Sequence, residues 1–203
     1  MKLKKNKNKT ALTVLFAVIA VVYLLPIFLV LMYLNFPGSH YWALAVYVIA
    51  CLTDLADGYI ARHYKQVSDF GKFMDPVADK FMVIGAMFVI LYRSLNLYSD
   101  KLFSNVFFWA FMIVIFRELA VTSMRMVVNN TDGIVIAAGW LGKVKTCVQI
   151  LFILTAIIEP MFSYDFLGGH VASYVTMAAM AVMTLWSGIV YFKGYWKYIN
   201  PSV

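Results

Sequence analysis

Charge is what this sequence has least of. Only 13% of its 203 residues are Asp, Glu, Lys or Arg, about half the share of an ordinary soluble domain, while 63% are hydrophobic where about 45–50% is usual. Neither a soluble globular enzyme nor a disordered chain has that balance. Two stretches carry no formal charge at all, Thr10 to Thr53 and Phe166 to Phe192, and such runs match the roughly 20 apolar residues that one helix needs to cross a bilayer. Cysteine is equally scarce. Cys51 and Cys147 cannot staple a disulfide scaffold, and both fall in expected spans, where small buried apolar roles are expected of them. There is no internal repeat.

The uncharged and weakly charged runs predict six membrane helices at about 11–34, 41–63, 71–92, 102–128, 141–158 and 170–196. The turn signals Asn35-Phe-Pro-Gly-Ser39 separate the first two. Pro26 falls inside the first, where its missing amide donor predicts a kink. The reading is therefore an all-α integral membrane protein of six transmembrane helices. A basic segment (1–10) precedes the helical catalytic body (11–196), and a short tail (197–203) follows it.

Five lysines and no acid occur in Met1–Lys9, which by the positive-inside bias places the N-terminus in the cytoplasm. Counting turns from there puts Arg62, Lys65, Lys72, Arg125, Lys143, Lys145, Lys193 and Lys197 at cytoplasmic ends and leaves Arg93 and Lys101 outside. Both termini are thus expected in the cytoplasm and the chain in the cell membrane. The first apolar run is too long, and too poor in small residues at its end, for a cleaved leader. Although the net charge is +7, the lysines hug membrane boundaries. Anionic headgroups and phosphate-bearing substrates are the partners this predicts, and nucleic acid is not.

Against this background the acids stand out. Five of the ten lie between Asp54 and Asp79, and ionisable groups near the hydrocarbon are costly enough to be read as functional. Asp54 and Asp57 are three residues apart at the end of the second expected helix; Asp75 and Asp79 are four apart at the start of the third. Each spacing puts its pair on one helical face, and a short connection makes the two helices antiparallel neighbours. Four converging carboxylates repel one another unless hard divalent cations hold them, and a two-metal site with ions roughly 3.5–4 Å apart resolves the repulsion. Gly58 and Ala61 leave the helix surface bare for a flat ligand, and Arg62 offers a guanidinium to a phosphate. The plainer alternative is that these aspartates are solvated or paired with Lys65, Lys72 and Lys80. A proton or ion relay is another, although a relay usually spreads its carboxylates along a path across the bilayer.

This stretch resembles the CDP-alcohol phosphotransferases, whose pattern D-x-x-D-G-x-x-A-R, seven or eight residues, then G-x-x-x-D-x-x-x-D is satisfied at every specified position from Asp54 to Asp79. The resemblance implies transfer of a phosphatidyl group from a CDP-linked lipid to an alcohol, with release of CMP, at a site on the cytoplasmic side. It implies that Asp54, Asp57, Asp75 and Asp79 bind two divalent ions, Mg²⁺ or Mn²⁺, and that Asp79 is also the general base. It implies that Asp57, Gly58, Ala61, Arg62, Ser68 and Gly71 line the CDP-lipid site, Ser68 by position alone.

The acceptor is read from the remaining cytoplasmic cations. Arg117 and Arg125 are eight residues apart, on one face of the fourth expected helix, and Lys143 and Lys145 open the fifth. Together they predict a pocket for a phosphorylated acceptor. A structural pair between Arg117 and Glu118 is the competing reading for Arg117, and membrane anchoring is the competing reading for the two lysines. The pattern R-E-x-x-V-T-x-x-R followed by G-W-L-G-K-x-K-T-x-x-Q resembles the bacterial glycerol-phosphate branch of the family. That implies CDP-diacylglycerol and sn-glycerol 3-phosphate as substrates, phosphatidylglycerol phosphate and CMP as products, and a homodimer. Phosphatidylglycerol, inositol phosphate and serine are the rival acceptors, and a small ion-coupled transporter is the rival of another class. One departure stands in the first run. The branch usually begins N-x-P-N-x-L-T-x-x-R, whereas Leu12 and Thr13 are followed here by Phe16 at the arginine's place.

Overall fold

The computed structural model describes residues 23–34, 36–64, 69–97, 100–131, 139–162 and 170–199, with side chains described at 23–34, 36–53, 80–96, 100–124, 139–162 and 170–196. The elements are α1 (Leu25–Leu34), α2 (Ser39–Tyr64), α3 (Asp69–Leu97), α4 (Lys101–Thr131), α5 (Trp140–Ile158), a 3₁₀ turn (Glu159–Met161) and α6 (Val171–Ile199). All described regular structure is helical. The chain divides into two compact units at Arg93/Ser94.

In the first unit, Tyr23 and Leu24 form a π turn directly before α1, a local distortion of the kind expected beside Pro26. The turn signals between α1 and α2 work as their chemistry predicts. Pro37 and Gly38 occupy the centre of a turn in which the Ser39 amide donates to the Phe36 carbonyl at 2.9 Å, and Gly38 has φ = 85°. That is the left-handed conformation that the second central residue of a type II turn needs and that glycine takes without strain. The buried face follows helical periodicity: Leu25, Phe28 and Met32 on α1, Ala43, Tyr47 and Ala50 on α2, and Ala86, Met87 and Ile90 on α3. The Phe28 and Tyr47 rings are 5.3 Å apart.

Arg93 departs from expectation. Instead of marking an outer boundary as a solvated anchor it is only 3% exposed. Its Nη1 donates to the Met32 carbonyl at 2.6 Å and its Nη2 reaches His40 Nε2 at 2.7 Å. Because a guanidinium can only donate, His40 Nε2 is the acceptor. Met32 belongs to the last turn of α1, whose carbonyls have no partner within the helix. A cation there both satisfies one carbonyl and faces the negative end of the helix dipole. One side chain of α3 therefore ties α1 to α2.

In the second unit α4 and α6 run parallel and α5 antiparallel to both, with α6 packed against each of the other two. Both parallel helices start on an acid. Asp100 caps α4, its Oδ1 accepting from the amides of Leu102 (2.9 Å) and Phe103 (3.1 Å), while its other oxygen accepts from the Tyr174 hydroxyl on α6 at 3.1 Å. Those bonds, the Phe103 amide foremost, hold the Asp100 carboxyl below its ordinary range against the opposing effect of desolvation. Glu159, just past α5, accepts from the amides of Ala172 (2.9 Å) and Ser173 (3.0 Å) and so caps α6. Between these ends Phe103 stacks on His170 with centroids 4.8 Å apart, and Phe107 meets Phe152 edge-on at 4.9 Å.

The polarity of the described helices is inverted relative to a water-soluble bundle. Ser104, Gln149, Ser173, Thr184 and Ser187 are buried, whereas Leu102, Trp109, Phe116, Leu119, Leu185, Trp186 and Ile189 are exposed. Apolar surface on that scale belongs against lipid, with small polar groups packed between helices. Among the described residues three helices are long and apolar enough to span a membrane: Lys101–Met124, Trp140–Met161 and Val171–Trp196. Leu25–Leu34 and Ser39–Thr53 are shorter apolar helices. Neither cysteine is in a disulfide; Cys51 is half-buried, but Cys147 is exposed rather than buried as expected. It sits two residues from both Lys145 and Gln149, which take the inner face of α5, so helical rotation turns it outward.

Replacing Arg93 with methionine keeps the length of the side chain but removes both charged hydrogen bonds. We expect roughly 2 kcal/mol of lost stability, measured as a lower unfolding temperature in detergent micelles relative to the parent chain.

Candidate active site

The acidic motif lies on two continuous helices. Asp54, Asp57, Gly58, Ala61 and Arg62 belong to the C-terminal half of α2, and Gly71, Asp75 and Asp79 to the first turns of α3. Residues 65–68, Ser68 among them, fall outside the described residues, as do the side chains of 54–79. The backbone settles the angular spacing nonetheless. At about 100° per residue, Asp54 and Asp57 project about 60° apart around α2, and Asp75 and Asp79 about 40° apart around α3. Pro76 lies between the second pair, and having no amide proton it removes one rung from the helical hydrogen-bond ladder there.

A separate cluster, cationic and described in its side chains, lies in the second unit. Glu118 on α4 is 7% exposed, and its Oε1 accepts from Arg117 Nη1 at 3.1 Å and also from Lys145 Nζ on α5. Arg117 and Lys145 therefore meet on one carboxylate oxygen. Neighbouring residues on a helix do not ordinarily face each other, but Arg117 reaches its neighbour because its stem is bent over the helix surface. The guanidinium carbon lies 5.4 Å from the centre of the Tyr191 ring. The stem lies against Gly188, where an added Cβ would come within 3.2 Å of Arg117 Cγ. The glycine admits the arginine, and the tyrosine supports it.

Tyr191 is itself held. Its hydroxyl oxygen accepts from the Gly139 amide at 3.0 Å, at the start of α5, where no side chain caps the helix. Gly142 leaves room for it, since a Cβ there would stand 3.1 Å from the same hydroxyl. The first turn of α5 is thus joined to α6 beside the cations, and the unpaired amides of a helix start add partial positive charge.

Two cations and one carboxylate thus meet in a buried setting. Several donors nearby in sequence or structure have no partner among the described residues: Arg117 Nε, Gln149 Nε2 one turn beyond Lys145 on α5, and the Tyr195 hydroxyl one turn beyond Tyr191 on α6. Buried donors cost free energy until an acceptor meets them.

Of the four predicted acceptor cations, the structure thus brings together Arg117 and Lys145. Lys143 is exposed, about 200° around α5 from Lys145. Arg125 lies on α4 two turns beyond Arg117, its side chain outside the described set. Glu118, Tyr191 and Gly188 were not among the predicted site residues. Only Glu118 gave a signal, as an acid inside an apolar helix. Among the described residues no group of three His, Cys, Asp or Glu side chains could hold a metal ion, so the candidate metal ligands are the four aspartates of the motif.

A family model described as CDP-alcohol phosphatidyltransferase matches residues 10–187. The chain belongs to that family. Among its CDP-alcohol phosphatidyltransferase relatives, a Bacillus subtilis protein named CDP-diacylglycerol–glycerol-3-phosphate 3-phosphatidyltransferase is 32% identical over 88% of this chain and 92% of its own length. A Haemophilus influenzae protein of the same name is 32% identical over 88% of this chain and 90% of its own. A probable phosphatidylglycerophosphate synthase of Mycobacterium tuberculosis is 33% identical over 83% and 74%. As a member of the CDP-alcohol phosphatidyltransferases, the chain carries the family's acidic motif on the two helices where the spacing requires it.

Two substitutions separate support of the cluster from crowding of it. Tyr191→Phe removes only the acceptor of the Gly139 amide and should cost about 1 kcal/mol. Gly142→Val drives a branched side chain against the Tyr191 hydroxyl and should cost about 1–3 kcal/mol. Thermal unfolding in micelles is expected to rank wild type above Tyr191→Phe and Tyr191→Phe above Gly142→Val.

Proposed function

We propose that this protein transfers the phosphatidyl group of CDP-diacylglycerol to sn-glycerol 3-phosphate, giving phosphatidylglycerol phosphate and CMP. The observation that carries the acceptor is the buried meeting of Arg117 and Lys145 on Glu118, in a chain whose relatives of similar length are named for glycerol 3-phosphate. Two such cations suit a phosphorylated acceptor; serine and phosphatidylglycerol offer them no phosphate monoester.

Asp54, Asp57, Asp75 and Asp79 are the residues that would hold two divalent ions, Mg²⁺ or Mn²⁺. Four carboxylates are the hard oxygen donor set such ions prefer, and their spacing on unbroken helices fits. Bound there, the ions supply positive charge against the diphosphate and the departing CMP. The chain's own groups do the rest. Gly58, Ala61, Ser68 and Gly71 give the nucleotide room beside the backbone, and Arg62 pairs with a phosphate. Arg117 and Lys145, with Arg125 and Lys143 at the cytoplasmic rim, bind the acceptor's phosphate. The acceptor's free primary hydroxyl oxygen bonds to the phosphorus bearing the diacylglycerol, the bond from that phosphorus to the CMP oxygen breaks, and Asp79 takes the hydroxyl proton. Asp79 works by position, since a carboxylate within reach of the hydroxyl can take its proton in the transition state.

In this reading the chain has six spans over 11–196, with the basic segment 1–10 and the tail 197–203 on the cytoplasmic side of the cell membrane together with the site. It acts as a homodimer.

The test is CMP release by the purified protein with CDP-diacylglycerol, Mg²⁺ or Mn²⁺, and each acceptor in turn. Release with glycerol 3-phosphate is expected. Release only with inositol phosphate, serine or phosphatidylglycerol would overturn the acceptor, and none with any acceptor would overturn the transferase. Asp79→Asn is expected to lower kcat by about 10²–10⁴-fold without loss of folded protein; full activity in that variant would remove the assigned base.

A further inference from the structure

We propose that Glu118 is a positioning residue for the acceptor: it assembles Arg117 and Lys145 at one point before the phosphate arrives. The inference rests on the acceptor reading above. Arg117 and Lys145 come from different helices, and each carries a long side chain with about 2 kcal/mol of rotamer entropy to lose on being fixed. Both donate to the same oxygen, Glu118 Oε1. Arg117 has further support in the Tyr191 ring and Gly188.

Without the carboxylate, the two buried cations would repel each other in a medium that screens poorly. Glu118 repels a phosphate directly, so it serves the acceptor through Arg117 and Lys145.

Glu118→Gln keeps the shape and removes the charge, and its amide turns a donor toward the cations. We expect the KM for glycerol 3-phosphate to rise tenfold or more, the KM for CDP-diacylglycerol to stay within twofold, and kcat at saturating acceptor to fall less than threefold. Glu118→Asp, with the charge kept one methylene short, should give an acceptor KM between those of wild type and Glu118→Gln. On a Lys145→Ala background, Glu118→Gln should add less than twofold to the acceptor KM. A residue that merely holds the helices together would lower kcat or the yield of folded enzyme without that selectivity. Equal rises in both KM values, or the full tenfold effect persisting on the Lys145→Ala background, would overturn the proposal. Should Glu118→Gln not fold, Glu118→Asp decides: an acceptor-selective KM rise supports the role, and an unmoved acceptor KM removes it. Wild-type enzyme that releases no CMP with glycerol 3-phosphate refutes the function itself, whereas active wild type with an unmoved acceptor KM in the variants refutes only the role of Glu118.

Discussion

A charge taken out of water must be met by an opposite charge or a hydrogen-bond partner, and the described structure is organised by that requirement. In the first unit Arg93 is buried and answers the open carbonyl end of α1 and a histidine of α2. In the second, Glu159 is buried and answers the amide end of α6. Each spends its charge on the end of a helix, where the backbone supplies what it needs. The cluster at Glu118 is different in kind. There the partners are other side chains, drawn from two helices.

That difference separates structure from function in a chain with so few ionisable groups. Arg93, Asp100 and Glu159 meet the ends of helices and hold elements in place, so they serve the fold. Arg117, Glu118 and Lys145 instead bring side chains of two helices to one carboxylate oxygen. Glycine makes the cluster possible: Gly188 admits the arginine stem and Gly142 admits the tyrosine hydroxyl, since any side chain at either point would occupy the same space. The second unit packs small polar residues such as Ser104, Ser173, Thr184 and Ser187 between its helices beside buried aromatics, and leaves other bulky apolar residues outward, an arrangement that a lipid surrounding favours.

Much of the scaffold was legible beforehand because hydrophobic runs and turn chemistry are local. The helix expected over 141–158 is observed as Trp140–Ile158, and the turn at Pro37-Gly38 forms as its residues require. The acidic motif was legible for the same reason: spacings of three and four residues carry their angular meaning wherever the chain is helical. Lys143 and Lys145 show where this stops. As neighbours at one helix start they looked equivalent, yet one is exposed and the other lies buried on Glu118. Arg93 looked like a boundary charge and is a tie between helices. Cys147 looked like core and faces outward.

What the sequence by itself determined is therefore the class of protein, its helices and the acidic motif that assigns it to its family, since these depend on composition and on periodicities within single elements. What only the tertiary structure decided is which cations share a carboxylate and which residues support them. Those depend on how each helix is rotated about its axis and on which glycine lies opposite, and rotation is set by packing between segments distant in sequence. Glu118 and Lys145 are 27 positions apart, and nothing local to either one names the other.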